Sequence, residues 1–157
     1  MHCAPEVVEY LTSETEHLRN DALSHGADAA EIDRAIVALR PSRHAIYDAV
    51  IDLGDRAVTI AHPGRGHTTS DLVVVAPGMD DDDGRVVVFT GDLVEESADP
   101  SIDSDSDVAA WPTTLDRVLA IGGPQAIYVP GHGRIVDAQF IGRQRDWLRR
   151  RANVEPG

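Results

Sequence analysis

Three short apolar runs, Leu72 to Ala76, Val86 to Phe89 and Ala126 to Val129, constrain this chain most. Runs of four or five mostly β-branched residues are too short for buried helices and suit strands covered on both faces. Ile46 to Leu53, the turn Gly54-Asp55 and Arg56 to Ala61 add a hairpin. Pro77, Gly78, the aspartates 80–83 and Gly84 separate the first two apolar runs. That spacer predicts a second hairpin with a hydrated tip, because four adjacent like charges repel unless solvated. Helical stripes lie on either side of these strands. Pro5 to Leu23 carries Val7, Val8, Leu11, Leu18 and Ala22, and Gly26 ends it; Asp28 to Leu39 carries Ile32 and Ile36, and Pro41 stops it. Trp111-Pro112 opens a third helix closed by Gly122-Gly123. Asp137 is positioned to cap a last one, with Phe140, Ile141, Gln144, Trp147 and Leu148 inward. Two helices, then strands, helix, strand and helix predict mixed α/β (α+β) layering in a single domain over residues 1–157, with 95–110 as a long acidic loop.

Charge removes several classes of function. Acidic residues number 27 and basic ones 14, a formal net charge of −13, which is the wrong sign for neutralising phosphates, so nucleic acid is not an expected partner. No apolar run approaches the ~20 residues a bilayer span needs. Met1 to Tyr10 lacks a basic-then-apolar block, and a cytoplasmic protein with no membrane partner is the expectation. Cys3 is the sole cysteine and forms no internal disulfide, so any metal site must use imidazole and carboxylate. No serine sits in a Gly-x-Ser-x-Gly turn, and without lysine there is no phosphate-cradling Gly-x-x-x-x-Gly-Lys loop.

Three residues of ligand type each sit just beyond an apolar run or inside a glycine-rich turn: His67 in Gly66-His67-Thr68, Asp92 in Phe89-Thr90-Gly91-Asp92, and His132 in Pro130-Gly131-His132-Gly133. Ligands gather at strand ends in α/β sheets, and glycine lets the backbone turn closely around a bound group. Taken singly, each residue is more often a cap or turn residue than a ligand. In this order and context they resemble the later part of the metallo-β-lactamase-fold hydrolases, a superfamily that includes glyoxalase II and lactonases. The resemblance runs to about Leu148. It implies a partial metallo-β-lactamase αββα sandwich, mainly its second half. It also implies metal ligation by His67, Asp92 and His132, with Asp92 at the catalytic metal-bridging position and Asp71 and Thr68 supporting His67 from behind. Zinc is the implied cofactor, one ion at most, with iron or manganese as alternatives. The implied activity is metal-dependent hydrolysis of an ester, thioester or lactone, with a small molecule as substrate.

The sequence departs from that family at one place. The hallmark His-x-His-x-Asp-His is absent, and His2, His17, His25, His44 and His62 do not reproduce its spacing. The chain is therefore expected to be a truncated domain with impaired catalysis, leaving one face of the sheet uncovered for a homodimer or a partner chain. A non-catalytic remnant or interaction module, pairing through that sheet, is the alternative. Asp103, Asp105 and Asp107 imitate the start of a calcium loop, but Val108 replaces its glycine and Thr114 its closing glutamate. Arg65 is a candidate for meeting a substrate carboxylate, with a solvated turn residue as the plainer reading.

Overall fold

A computed structural model describes residues 2–40, 42, 44–78 and 84–153. The chain divides into two units, residues 1–46 and 47–157.

In the first unit, β1 (His2–Cys3) pairs in parallel with β2 (His44–Ala45), and α1 (Pro5–Ser13), α2 (Thr15–Ser24) and α3 (Ala29–Ala38) lie between them in sequence. The apolar stripe predicts one helix from Pro5 to Leu23, yet the chain breaks at Glu14, whose φ of −107° and ψ of 30° leave the helical region. Side chains just before the break compete for the helix carbonyls: Thr12 Oγ1 donates to Val8 O and Glu9 O, and Ser13 Oγ to Glu9 O. Asp28 caps α3 by accepting from Glu31 N at 3.0 Å. Arg19 on α2 reaches Asp33 on α3 at 2.6 Å, and this exposed pair adds little stability.

The second unit is built on a five-stranded sheet of order β3 (Ala49–Asp52), β4 (Ala57–Ala61), β5 (Val73–Ala76), β6 (Val87–Glu95) and β7 (Ile127–His132). Neighbours are antiparallel except β6 and β7, which run parallel. A parallel pair needs a crossover, and α4 (Trp111–Gly122) supplies it. Helix α5 (Ala138–Ala152) follows, capped as expected by Asp137, which accepts from Phe140 N at 2.8 Å.

Register decides which side chains face the helices. Val75, Val88 and Tyr128 lie opposite one another across β5, β6 and β7, and so share a face. Val88 and Tyr128, with Val73, are fully buried in one cluster with Trp111, Leu115 and Val118 of α4 and Ile141 and Leu148 of α5. The other face carries the row Val74, Phe89 and Val129, where Phe89 is 45% exposed. The expectation of cover on both faces thus holds on the helical side and fails at Phe89. The run at Val86 to Phe89 also continues further than its apolar pattern indicates. Strand β6 reaches Glu95, through register shifts on both sides of Gly91, because Leu93 and Val94 enter the core. The aspartates 80–83, read as a hydrated tip, lie outside the described residues.

Candidate functional site

The ends of β6 and β7 bring two of the three expected residues together. Asp92 Oδ1 lies 3.5 Å from His132 Nε2, and with side chains 43% and 65% exposed both remain open to solvent. Gly131 makes this approach possible: a Cβ there would collide with the Asp92 carboxylate and with the backbone of Gly91. Gly133, at a φ of +92°, turns the chain so that Glu96 can accept from Arg134 N at 2.8 Å and from Arg134 Nη2 at 2.9 Å. Those bonds hold the Glu96 carboxyl below the usual carboxylate range.

Glu95 also belongs to this end of the sheet, opposite His132 in register. Burial pushes its carboxyl up, but bonds from Ser97 Oγ and Ser97 N and the charge of His132 outweigh that and leave it lowered. Sequence reasoning missed Glu95 because it reads as the first residue of the acidic loop. Its strand position shows only through the buried Gln144, which accepts from Glu95 N at 3.1 Å and donates to Leu93 O at 2.8 Å.

His67 occupies a different turn. Its ring lies edge-to-face with Trp111 at a centroid distance of 6.0 Å, and its carbonyl accepts from Ser106 Oγ at 2.9 Å. Asp107 N donates to Gly66 O, so the acidic loop folds back onto this turn. Trp111 Nε1 donates to Leu93 O at 3.0 Å, which ties the tryptophan beside His67 to the residue after Asp92. Asp71 accepts from Thr68 N and Thr68 Oγ1, at 3.0 and 2.9 Å, and so shapes the His67 turn. Burial raises the Asp71 carboxyl, against those bonds and the charges of His67 and His62, which lower it. Arg65, with its side chain 58% exposed, pairs with Asp107 at 3.4 Å.

A zinc site needs at least three protein donors around one point. Among the described residues, no three His, Cys, Asp or Glu side chains form a group that could hold a metal ion. The donors as they stand therefore do not fit a bound metal: Asp92 and His132 face each other, and His67 is not joined to them. His17 and His25 are exposed, and no described helix is long and apolar enough to cross a membrane.

Comparison with known proteins agrees with the resemblance to the metallo-β-lactamase fold. No protein-family model matches the chain. It is 33% identical over 101 residues to the metallo-β-lactamase type 2 of Bacteroides fragilis, covering 62% of this chain and 38% of that protein. It is 28% identical over 101 residues to that of Bacillus cereus, covering 63% and 37%. The chain thus spans well under half the length of these curated relatives. Among solved structures, VMB-1 superposes with a TM-score of 0.63 at 16% identity, over 96% of this chain and 57% of that one. A metallo-β-lactamase from Pontibacter korlensis gives 0.59 at 20% identity, over 83% and 61%.

Proposed function

From the premise that the chain is related to the metallo-β-lactamase-fold superfamily and has a hydrolase-like ancestry, we propose that it descends from a metal-dependent hydrolase of acyl carbonyl compounds and is catalytically impaired on its own. Esters, thioesters and lactones are the proposed substrate class. The β-lactam named for the relatives shares their attacked carbonyl and is tested with them. His67, Asp92 and His132 are the proposed ancestral metal ligands, with Asp71 and Thr68 shaping the turn of the first.

One observation carries this reading: the Asp92 carboxylate and His132 imidazole stand 3.5 Å apart at adjoining strand ends, while His67 lies against Trp111 and no third donor completes a group with them among the described residues. Two donors hold a divalent ion weakly, and an aspartate facing an imidazole satisfies part of its own electrostatic demand without one. The test is metal content per chain after purification without added metal, together with turnover of a chromogenic cephalosporin, an aryl ester and a lactone. The expected result is far less than one ion per chain and turnover unchanged by His132→Ala. One tightly held ion, lost along with hydrolysis in His132→Ala, would overturn the impairment.

Phe89 favours a second reading, an interaction module. An aromatic ring 45% exposed on the sheet face opposite the helices, in line with Val74 and Val129, is suited to association with a second copy or a partner chain. Sedimentation of the wild type and of Phe89→Asp tests it: a dimer that dissociates in the variant supports the reading, and a monomer in both removes the homodimer.

A further inference from the structure

Strand β3 forms one end of the five-stranded sheet, and among the described strands it pairs only with β4. We propose that its open edge takes up an extended basic peptide as a further strand, held by backbone hydrogen bonds and by Asp48 and Asp52. The proposal rests neither on the hydrolase ancestry nor on the Phe89 face. Val50 of β3 points to the side of the sheet opposite Phe89, as the register across β4 and β5 requires.

Register also shows which backbone groups meet the edge. Leu53 N donates to Arg56 O at 2.8 Å and closes the turn between β3 and β4. In an antiparallel ladder, residues alternate between exchanging both backbone bonds with the neighbouring strand and pointing both away from it. Counting back from Leu53, Ile51 and Ala49 bond to β4, and Val50 and Asp52 turn their N–H and C=O outward. The side chains here are open as well, Val50 at 72% and Leu53 at 58% exposed. Val50 lies in one row with Thr59, Val75, Val88 and Tyr128, on the face that α4 and α5 cover over the inner strands, so its exposure shows that these helices stop short of β3. The strand has no proline and no bulge against β4, two devices that commonly keep an edge from pairing.

Charge selects the occupant. Asp48, just ahead of β3, and Asp52, at its end, are both exposed. Asp52 Oδ1 accepts from Gly54 N at 2.8 Å, a bond that leaves its charge unpaired, whereas the nearby Asp55 already holds Arg56 at 3.5 Å. A second copy of the chain added edge to edge about a twofold axis would bring these same aspartates against their counterparts. Like charges facing across a ladder are destabilising, and a net charge of −13 adds to the repulsion. A peptide with an apolar residue opposite Val50 and basic residues at its ends meets the exposed valine with an apolar side chain and the two carboxylates with cations. Strand addition of this kind draws affinity from backbone bonds and selectivity from alternate side chains.

The experiment titrates the full chain with the acetylated, amidated peptide Arg-Thr-Ile-Thr-Arg, followed by calorimetry and by hydrogen exchange at assigned backbone amides. Saturable binding is expected, with slowed exchange at Val50 and Asp52, while Leu53, already bonded to Arg56, changes little. Proline in place of the peptide's isoleucine removes the N–H opposite Val50 and should weaken binding about fivefold or more. Glutamate in place of both arginines should weaken it at least about tenfold. Asp52→Asn keeps an acceptor for Gly54 N while removing the charge, and should weaken the arginine peptide about twofold to fivefold. Asp99→Asn, in the segment after β6, is the control and should bind as the wild type does. No saturable binding, undiminished binding of the proline or glutamate peptide, wild-type binding by Asp52→Asn, equal weakening in Asp99→Asn, or unchanged exchange at Val50 and Asp52 would each overturn the proposal. Protection of those two amides that grows with concentration of the chain alone would give the edge to a second copy, and would overturn it too. The peptide comparisons need no variant of the chain, so the proposal remains testable even where a substitution unfolds it.

Discussion

The Asp92 carboxylate occupies the space in which a side chain at Gly131 would begin. A methyl group there would meet Asp92 Oδ1 and, at 3.0 Å, both Asp92 Cγ and the carbonyl carbon of Gly91. The carboxylate could swing aside, but the backbone could not do so without disturbing the β6–β7 pairing. Gly131→Ala is therefore expected to cost about 1–3 kcal/mol, the usual penalty of overpacking. Gly142, in α5, has nothing within 4 Å of the position its Cβ would take. Gly142→Ala is expected to stabilise by about 0.5–1 kcal/mol, since alanine gives up less backbone freedom on entering a helix. Urea denaturation of the two variants should give shifts of opposite sign.

Gln144 is a buried polar residue whose two ends are both used, the oxygen by Glu95 N and the nitrogen by Leu93 O. Leu93 O also accepts from Trp111 Nε1, so it keeps one partner if Gln144 is removed. Glu95 N would lose its Gln144 acceptor. Gln144→Leu keeps much of the volume and removes both side-chain hydrogen bonds from a buried position, which should cost about 1–3 kcal/mol. A loss of midpoint with an unchanged denaturant slope would mark this as a stability effect. A loss under about 0.5 kcal/mol would mean that the end of β6 is held by other contacts.

How far the sequence disclosed this fold depends on what each residue's pattern encodes. Asp137 was legible as a cap because a carboxylate before an apolar stripe has one dominant local use, and that cap is present. The strands around Val73, Val88 and Tyr128 were legible from short β-branched runs. The break at Glu14 was not, because the apolar spacing continues across it and the disruption comes from hydroxyl groups bonding back along the chain. The extension of β6 to Glu95 was hidden for a related reason. Thr90, Gly91 and Asp92 have the composition of a turn, and only the distant Trp111 and Gln144 hold the following residues in place. At the site, spacing drew attention to His67, Asp92 and His132, but sequence carries no information on ring orientation, and the His67 ring lies edge-to-face with Trp111.

Asp71 sets a pH dependence whose sign follows from its surroundings. Burial raises its carboxyl above the ordinary aspartate value in the folded chain, despite the bonds from Thr68. A raised acid holds its proton longer when folded than when unfolded, so its contribution favours folding below the unfolded value of about 3.9. That contribution falls as pH rises from there through the folded value, and stays low above it. Asp71→Asn removes the ionisation. The difference in unfolding free energy between variant and wild type should therefore move in favour of Asn as pH rises across this window. A difference that is flat, or that moves the other way, would show that the Thr68 bonds outweigh burial.

Helices α4 and α5 are joined at their surface by Asp116, which accepts from Arg145 Nη1 at 2.8 Å and from Arg149 Nη2 at 2.7 Å. Asp146 also pairs with both arginines, so each guanidinium retains a partner when Asp116 is removed. The Asp116 side chain is 41% exposed, and solvent screens its interactions accordingly. Replacement by asparagine should cost no more than about 0.5–1 kcal/mol at low ionic strength. Most of that difference should vanish at about 1 M salt, where the screening length is ~3 Å. Paired urea denaturation of Asp116→Asn and wild type at the two ionic strengths measures it. A difference that survives high salt would assign the role of Asp116 to hydrogen-bond geometry rather than to charge.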